Sequence, residues 1–217
     1  ELLAALEKDE SFKKEEIGDL RTSYQLAEFT RSDFSVVRML KEEFNLRQPA
    51  QIRTLAKLGE GEWTELIERK HKEGVINPPL GLGEAAGAVK LTEAAVYAKS
   101  LERQFREAFP TAAFSGGLER ALRNGGARGM RHAELTHQII ETHPAFDLLR
   151  TSVDDFLNEG VNPELRGAVQ EEGFRLELKA AQRVFKLAPT FEATDTLLAD
   201  GLHSAQMIYR LGESEFV

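Results

Sequence analysis

Cysteine is missing from all 217 residues, which excludes disulfides, thiolate nucleophiles and cysteine-based metal sites. No apolar run approaches the roughly 20 residues that cross a bilayer, and no signal-peptide core stands near the start. Runs of β-branched residues alternating with polar ones are also absent, so little here could build a sheet. Basic residues are in deficit. Twenty-eight Lys and Arg against 36 Asp and Glu give a net charge of −8, which argues against a nucleic-acid or anionic-membrane surface. The GxSxG, GxGxxG, HExxH and GxxxxGK[ST] spacings do not occur, and no Ser-His-Asp pattern stands out.

What remains is an ordinary globular composition, 41% hydrophobic and 29% charged, in a chain long enough for one or two domains. It opens with Glu in a helical pattern and is expected to be a fragment of something larger. Helical spacing recurs throughout. Residues 1–11 place Leu2, Leu3 and Leu6 on one side, and after a polar stretch over 13–18 residues 19–29 continue the pattern. Ser32 or Asp33 can cap a helix over 32–44, Pro49 stops the chain, and 51–58 form a second short helix before Gly59. Trp63, Leu66 and Ile67 begin another. Residues 73–83 (EGVINPPLGLG) cannot be regular helix, so we expect units 1–72 and 84–217 on either side of this break.

Residues 84–109 are then the longest expected helix, with Tyr97, Leu101, Phe105 and Phe109 recurring every fourth position, and Pro110 ends it. Residues 115–130 hold five glycines, with Arg120, Arg123, Arg128 and Arg131 within or beside them. They read as a mobile loop carrying a short helix; the sharper alternative is an anion-binding loop, which the missing phosphate-loop spacing disfavours. Three more helices are expected over 131–142, 145–158 and 164–187. The fold class is all-α, built of stacked helical hairpins without β-sheet.

Two internal matches suggest a repeat. FSVVRMLKEEF (34–44) and FDLLRTSVDDF (146–156) share Phe, two aliphatics, Arg, an acidic pair and Phe at equal offsets. KLGEGEW (57–63) and RLGESEF (210–216) share a basic residue, Leu-Gly-Glu, Glu and a closing aromatic. The expected unit is a helix, a tight turn, a shorter helix and a glycine cap, clearest over 182–217. So small a unit must stack on others to bury its apolar face. Its core candidates are Phe34, Phe44, Leu58, Trp63, Phe146, Phe156, Phe185, Leu197, Ile208, Leu211 and Phe216, with Gly59, Gly201 and Gly212 at turns or caps.

Chemistry is harder to place. His132 and His137 stand five apart and diverge on a helix, so a zinc site that also enlists His143 is disfavoured. The pairs Asp154/Asp155 and Glu171/Glu172 diverge too and read as solvated faces. We expect no catalytic residue, metal or cofactor. A helix-hairpin-helix reading of Leu198–Leu211 would present backbone N–H groups to DNA phosphates, but basic residues near the turn are few.

Several segments in succession resemble the N-terminal region of the A component of bacterial insecticidal toxin complexes (Tc toxins, related to virulence plasmid A proteins). They are LAEFTRSDFSVVRMLKEEFNLRQPAQIRTLAKLGEGEWTELI (26–67), YAKSLERQFREAFPTAAF (97–114), FDLLRTSVDDFL (146–157) and LKAAQRVFKLAPTFEATDTLLADGLHSAQMIYRLGESEFV (178–217). The resemblance implies a non-enzymatic segment of the helical shell of a very large secreted or cell-surface-associated toxin subunit. In that family the subunit forms a pentamer that binds target cells and, at a pH trigger, drives a channel through the membrane to deliver an enzyme. The implied partners are other domains of the parent chain and neighbouring protomers. Neither nucleic acid nor direct membrane insertion by this segment is implied. The alternative function is a helix-hairpin-helix nucleic-acid-binding or protein-interaction module.

Overall fold

Local capping writes most of the helix starts. Asp33 Oδ1 accepts from the backbone N–H groups of Ser35 and Val36, at 2.9 and 3.2 Å. Three other starts use a side chain placed three residues into the helix: Glu16, Gln51 and Glu62 reach back to the N–H of Lys13, Gln48 and Gly59, each at 2.8 Å. The computed structural model describes residues 13–77 and 92–212, and every regular element among them is helical. The chain divides into two compact units, 1–109 and 110–217.

The first unit holds α1 (Lys14–Phe29), α2 (Phe34–Glu43), a 3-10 helix (Pro49–Lys57), α3 (Glu60–Lys72) and α4 (Glu93–Ala108). Its core is aromatic where α3, α4 and the end of α1 meet. Phe105 stacks against both Trp63 and Phe29, with ring centroids 5.3 and 4.5 Å apart. Tyr97, Leu101 and Phe105 are fully buried, one helical turn apart, as their spacing predicts. The Tyr97 hydroxyl donates to the carbonyl of Thr30 at 3.4 Å, and burial pushes this phenol well above its usual range. Between α1 and α2 the chain turns through Arg31 and Ser32, both left-handed at φ 55° and 62°.

The second unit contains α5 (Pro110–Arg123), α6 (Ala133–Thr142), a brief α7 (Val153–Asp155) running into a π turn (Phe156–Gly160), and a 3-10 turn at Pro163–Leu165. These lead into α8 (Arg166–Val169), α9 (Glu172–Phe185), α10 (Phe191–Ala199) and α11 (Ala205–Leu211). One continuous apolar cluster joins α5 to α10, with Leu118, Ile139, Phe174, Leu178 and Phe185 fully buried, while α11 buries no residue. Phe114 meets Phe185 and Phe191 edge-on at 5.2 and 5.5 Å.

Several expectations need correction. The division falls at Phe109/Pro110, not within 73–83, because α4 packs on α3 and its apolar stripe completes the first core. Residues 78–91, which include most of the expected break, lie outside the described residues, as do the expected helix over 1–11 and Phe216. Residues 115–123 belong to α5 and not to a loop; Gly116 and Gly117 are both buried, and Gly117 is a packing position against Phe191 of α10. The helix expected over 164–187 is three pieces. The one expected over 145–158 begins only at Val153.

The core candidates divide. Trp63, Phe146 and Phe185 are buried; Phe44, Leu58, Phe156, Leu197, Ile208 and Leu211 are only partly so. Phe34 is 78% exposed. It opens α2 roughly opposite the face that buries Val36, Val37, Met39 and Leu40, because each residue turns the helix by about 100°. Gly59 does not end a helix in the left-handed region: its φ is −80° and it caps the start of α3. Gly201 and Gly212 are left-handed, at φ 75° and 76°.

The paired segments do not share a conformation. Residues 34–43 form one helix, whereas 146–152 form turns in which polar side chains compete with the helix ladder. Asp147 Oδ1 accepts from Leu149 N at 2.8 Å, Thr151 Oγ1 accepts from Asp147 N at 2.9 Å, and Ser152 caps α7. Likewise Gly59 is extended where Gly212 is left-handed. The shared letters are not a structural repeat.

Candidate functional site

The polar groups of the second unit converge on the loop between α5 and α6. Gly125 and Gly126, at φ 109° and 104°, turn the chain away from α5, a conformation that costs glycine little. Asp195, on α10, then accepts from Arg128 N at 3.1 Å and Gly129 N at 2.8 Å. Glu177, on α9, accepts from Arg131 N at 2.9 Å and His132 N at 2.8 Å. Between these two anchors Met130 is buried, and Gly129 lies so close to α10 that a Cβ would collide with the Asp195 carbonyl and the Ala199 nitrogen. Two carboxylates thus bind four successive-pair backbone donors. An anion-binding loop would need those N–H groups; here the protein's own side chains occupy them.

The histidines of this loop, of α6 and of its C-terminal cap each have different partners. His132 sits between Glu177, 3.2 Å from Nδ1, and Glu171, 3.4 Å from Nε2, with its ring edge-on to Phe174. His137 Nδ1 is 3.0 Å from Ser115 Oγ, which donates to Glu141 at 2.7 Å. His143 Nδ1 lies 3.1 Å from the Ile139 carbonyl, while its Nε2 accepts from Asn162 N at 3.1 Å. That pattern assigns the proton to Nδ1.

His132, His137 and His143 therefore enter three separate networks, and no three metal-ligating side chains are grouped among the described residues. The Ser115–His137–Glu141 triangle has triad residue types in the wrong order. Ser115 bridges the other two, where nucleophile activation needs the imidazole in the middle, and Ser115 is fully buried inside α5. Its chemistry is hydrogen-bond satisfaction.

Two other features offer no stronger site. In the hairpin 198–211 three turn donors are spent internally: Asp200 N on Thr196 O, Gly201 N on Leu198 O, and Leu202 N on Leu197 O, at 2.8–3.0 Å. A DNA phosphate would find those groups taken. A groove of about 390 Å³ runs along α3, lined by Glu65, Glu68, Arg69, Lys72 and Glu73, charges of both signs on an open surface. No helix among the described residues is long and apolar enough to cross a membrane.

Sequence reasoning missed Asp195, Glu177 and the Ser115 triangle. Partners 22 to 67 positions apart leave no local signal. Comparison with protein-family models, with curated proteins and with solved structures finds no match for this chain.

Proposed function

We propose that this chain is a non-enzymatic structural segment that acts by packing against other protein. The observation that carries this reading is where its polar side chains go. The carboxylates and histidines gathered in the second unit bind main-chain donors and one another, so they hold a surface in shape. Large apolar side chains, meanwhile, stand in solvent: Tyr209 at 87%, Phe34 at 78% and Tyr24 at 61% exposed. Such side chains gain free energy when a neighbouring protein covers them.

The resemblance of residues 26–67, 97–114, 146–157 and 178–217 to the toxin A component supplies the larger setting. In it, the chain belongs to the helical shell of a Tc-toxin A-like subunit, a secreted or cell-surface-associated assembly whose other parts bind cells and translocate an enzyme. Its partners are then further domains of the parent chain and adjacent protomers. Sequencing the whole parent reading frame and imaging the purified product tests this. Channel-forming and β-rich regions in a large ring assembly are expected. A parent without such regions, or one that remains a small monomer, would sink the toxin setting.

A further inference from the structure

Between Arg120 and Ala133 the chain carries four arginines and no acidic residue, although residues 110–217 hold sixteen acids against eleven bases. Arg123 is 3.8 Å from Glu119. Arg128 and Arg131 differ: both are exposed, and neither guanidinium has a carboxylate partner among the described residues. The nearest acids are committed elsewhere. Asp195 holds the backbone N–H of Arg128, and Glu177 holds that of Arg131. The main chain is thus pinned at both arginines, with buried Met130 between them, while their charged heads stay free. A surface fixed before binding loses less entropy when a partner arrives.

We propose that Arg128 and Arg131 form a docking point for a short acidic peptide segment of a partner protein. One observation favours carboxylates over nucleic-acid phosphates. The guanidinium fork can grip either group in bidentate fashion, but the backbone donors that would cradle a phosphate are already filled by Asp195 and Glu177. A long polyanion would also meet the net negative charge of residues 110–217, which a short segment feels less. This inference is independent of the toxin setting, because it rests on the loop and its two anchors alone.

The test titrates the full chain with a fluorescent polyglutamate peptide at rising salt, against an oligonucleotide of equal charge. Peptide binding should weaken with salt. R128E and R131E should each weaken it about tenfold, and K186E, elsewhere on the same unit, should not. The milder pair R128K and R131K keeps the charge and loses the fork, so intermediate affinity is expected even if a reversal perturbs folding. No binding, equal binding by the reversed variants, or tighter binding of the oligonucleotide would each overturn the proposal.

Discussion

Phe191 packs against Gly117 so tightly that a Cβ on the glycine would lie 2.6 Å from the Phe191 Cβ. The contact explains why a helix otherwise able to use alanine carries glycine at its centre. Gly117→Ala should therefore destabilise the second unit by about 1–3 kcal/mol through overpacking. Gly61→Ala is its control. Gly61 lies in α3 with open space where a Cβ would go, so alanine should stabilise by roughly 0.5–1 kcal/mol. Urea unfolding of both variants checks the pair, and equal effects would remove the packing argument.

Trp63 is fully buried on Phe105, yet its Nε1 has no hydrogen-bond partner among the described residues. Trp63→Ala should cost about 3–5 kcal/mol, as large-to-small changes at buried aromatics do. Trp63→Phe should cost much less, because it keeps the ring stack and removes a donor buried without an acceptor. Thermal melts of the two variants decide it. Similar losses in both would mean the indole N–H contributes after all.

Acid should weaken the first unit through two carboxylates. The Lys41 ammonium, hydrogen-bonded to Asp19 at 2.7 Å, holds that carboxyl below its usual range against the opposing effect of burial, with help from Arg47. Lys70 at 2.8 Å and Arg69 at 2.6 Å do the same for Glu43. A carboxyl depressed in the folded state adds stability that is complete above its unfolded value of about 4, and that is lost as pH falls through the folded value. Urea midpoints should change little through these groups between neutrality and about pH 5, then fall. Asp19→Asn should flatten part of that fall. An unchanged acid limb in Asp19→Asn would mean the ion pair adds nothing measurable.

Asp195 closes the α5–α6 loop by accepting two backbone N–H groups. Asp195→Ala should expose the amides of Arg128 and Gly129 to faster hydrogen exchange while distant core amides keep their protection. Uniform loss across the unit would instead make Asp195 a global stability residue.

Gly201 ends α10 at φ 75° with open space around its missing Cβ. Gly201→Ala should cost roughly 1–2 kcal/mol, a backbone penalty with no clash to add. A neutral result in denaturant unfolding would show that the turn can change hand without loss.

Much of the fold follows from short-range chemistry. Helical spacing in Tyr97, Leu101 and Phe105, the Asp33 cap, the glycine stops at 201 and 212 and the lack of alternating β-branched runs fix an all-α chain, since each acts within about one helical turn. Tertiary structure decided the rest. Only the arrival of Phe191 tells a glycine that breaks a helix from one that admits a neighbour, so the local pattern alone makes Gly117 a loop residue. Only the direction of the surrounding helices buries Phe146 and leaves Phe34 in water, although the two sit at equivalent letters of similar segments. The anchoring of the arginine loop by Asp195 and Glu177 joins residues 45 to 67 positions apart, a closeness that hydrophobic packing creates and no local pattern records.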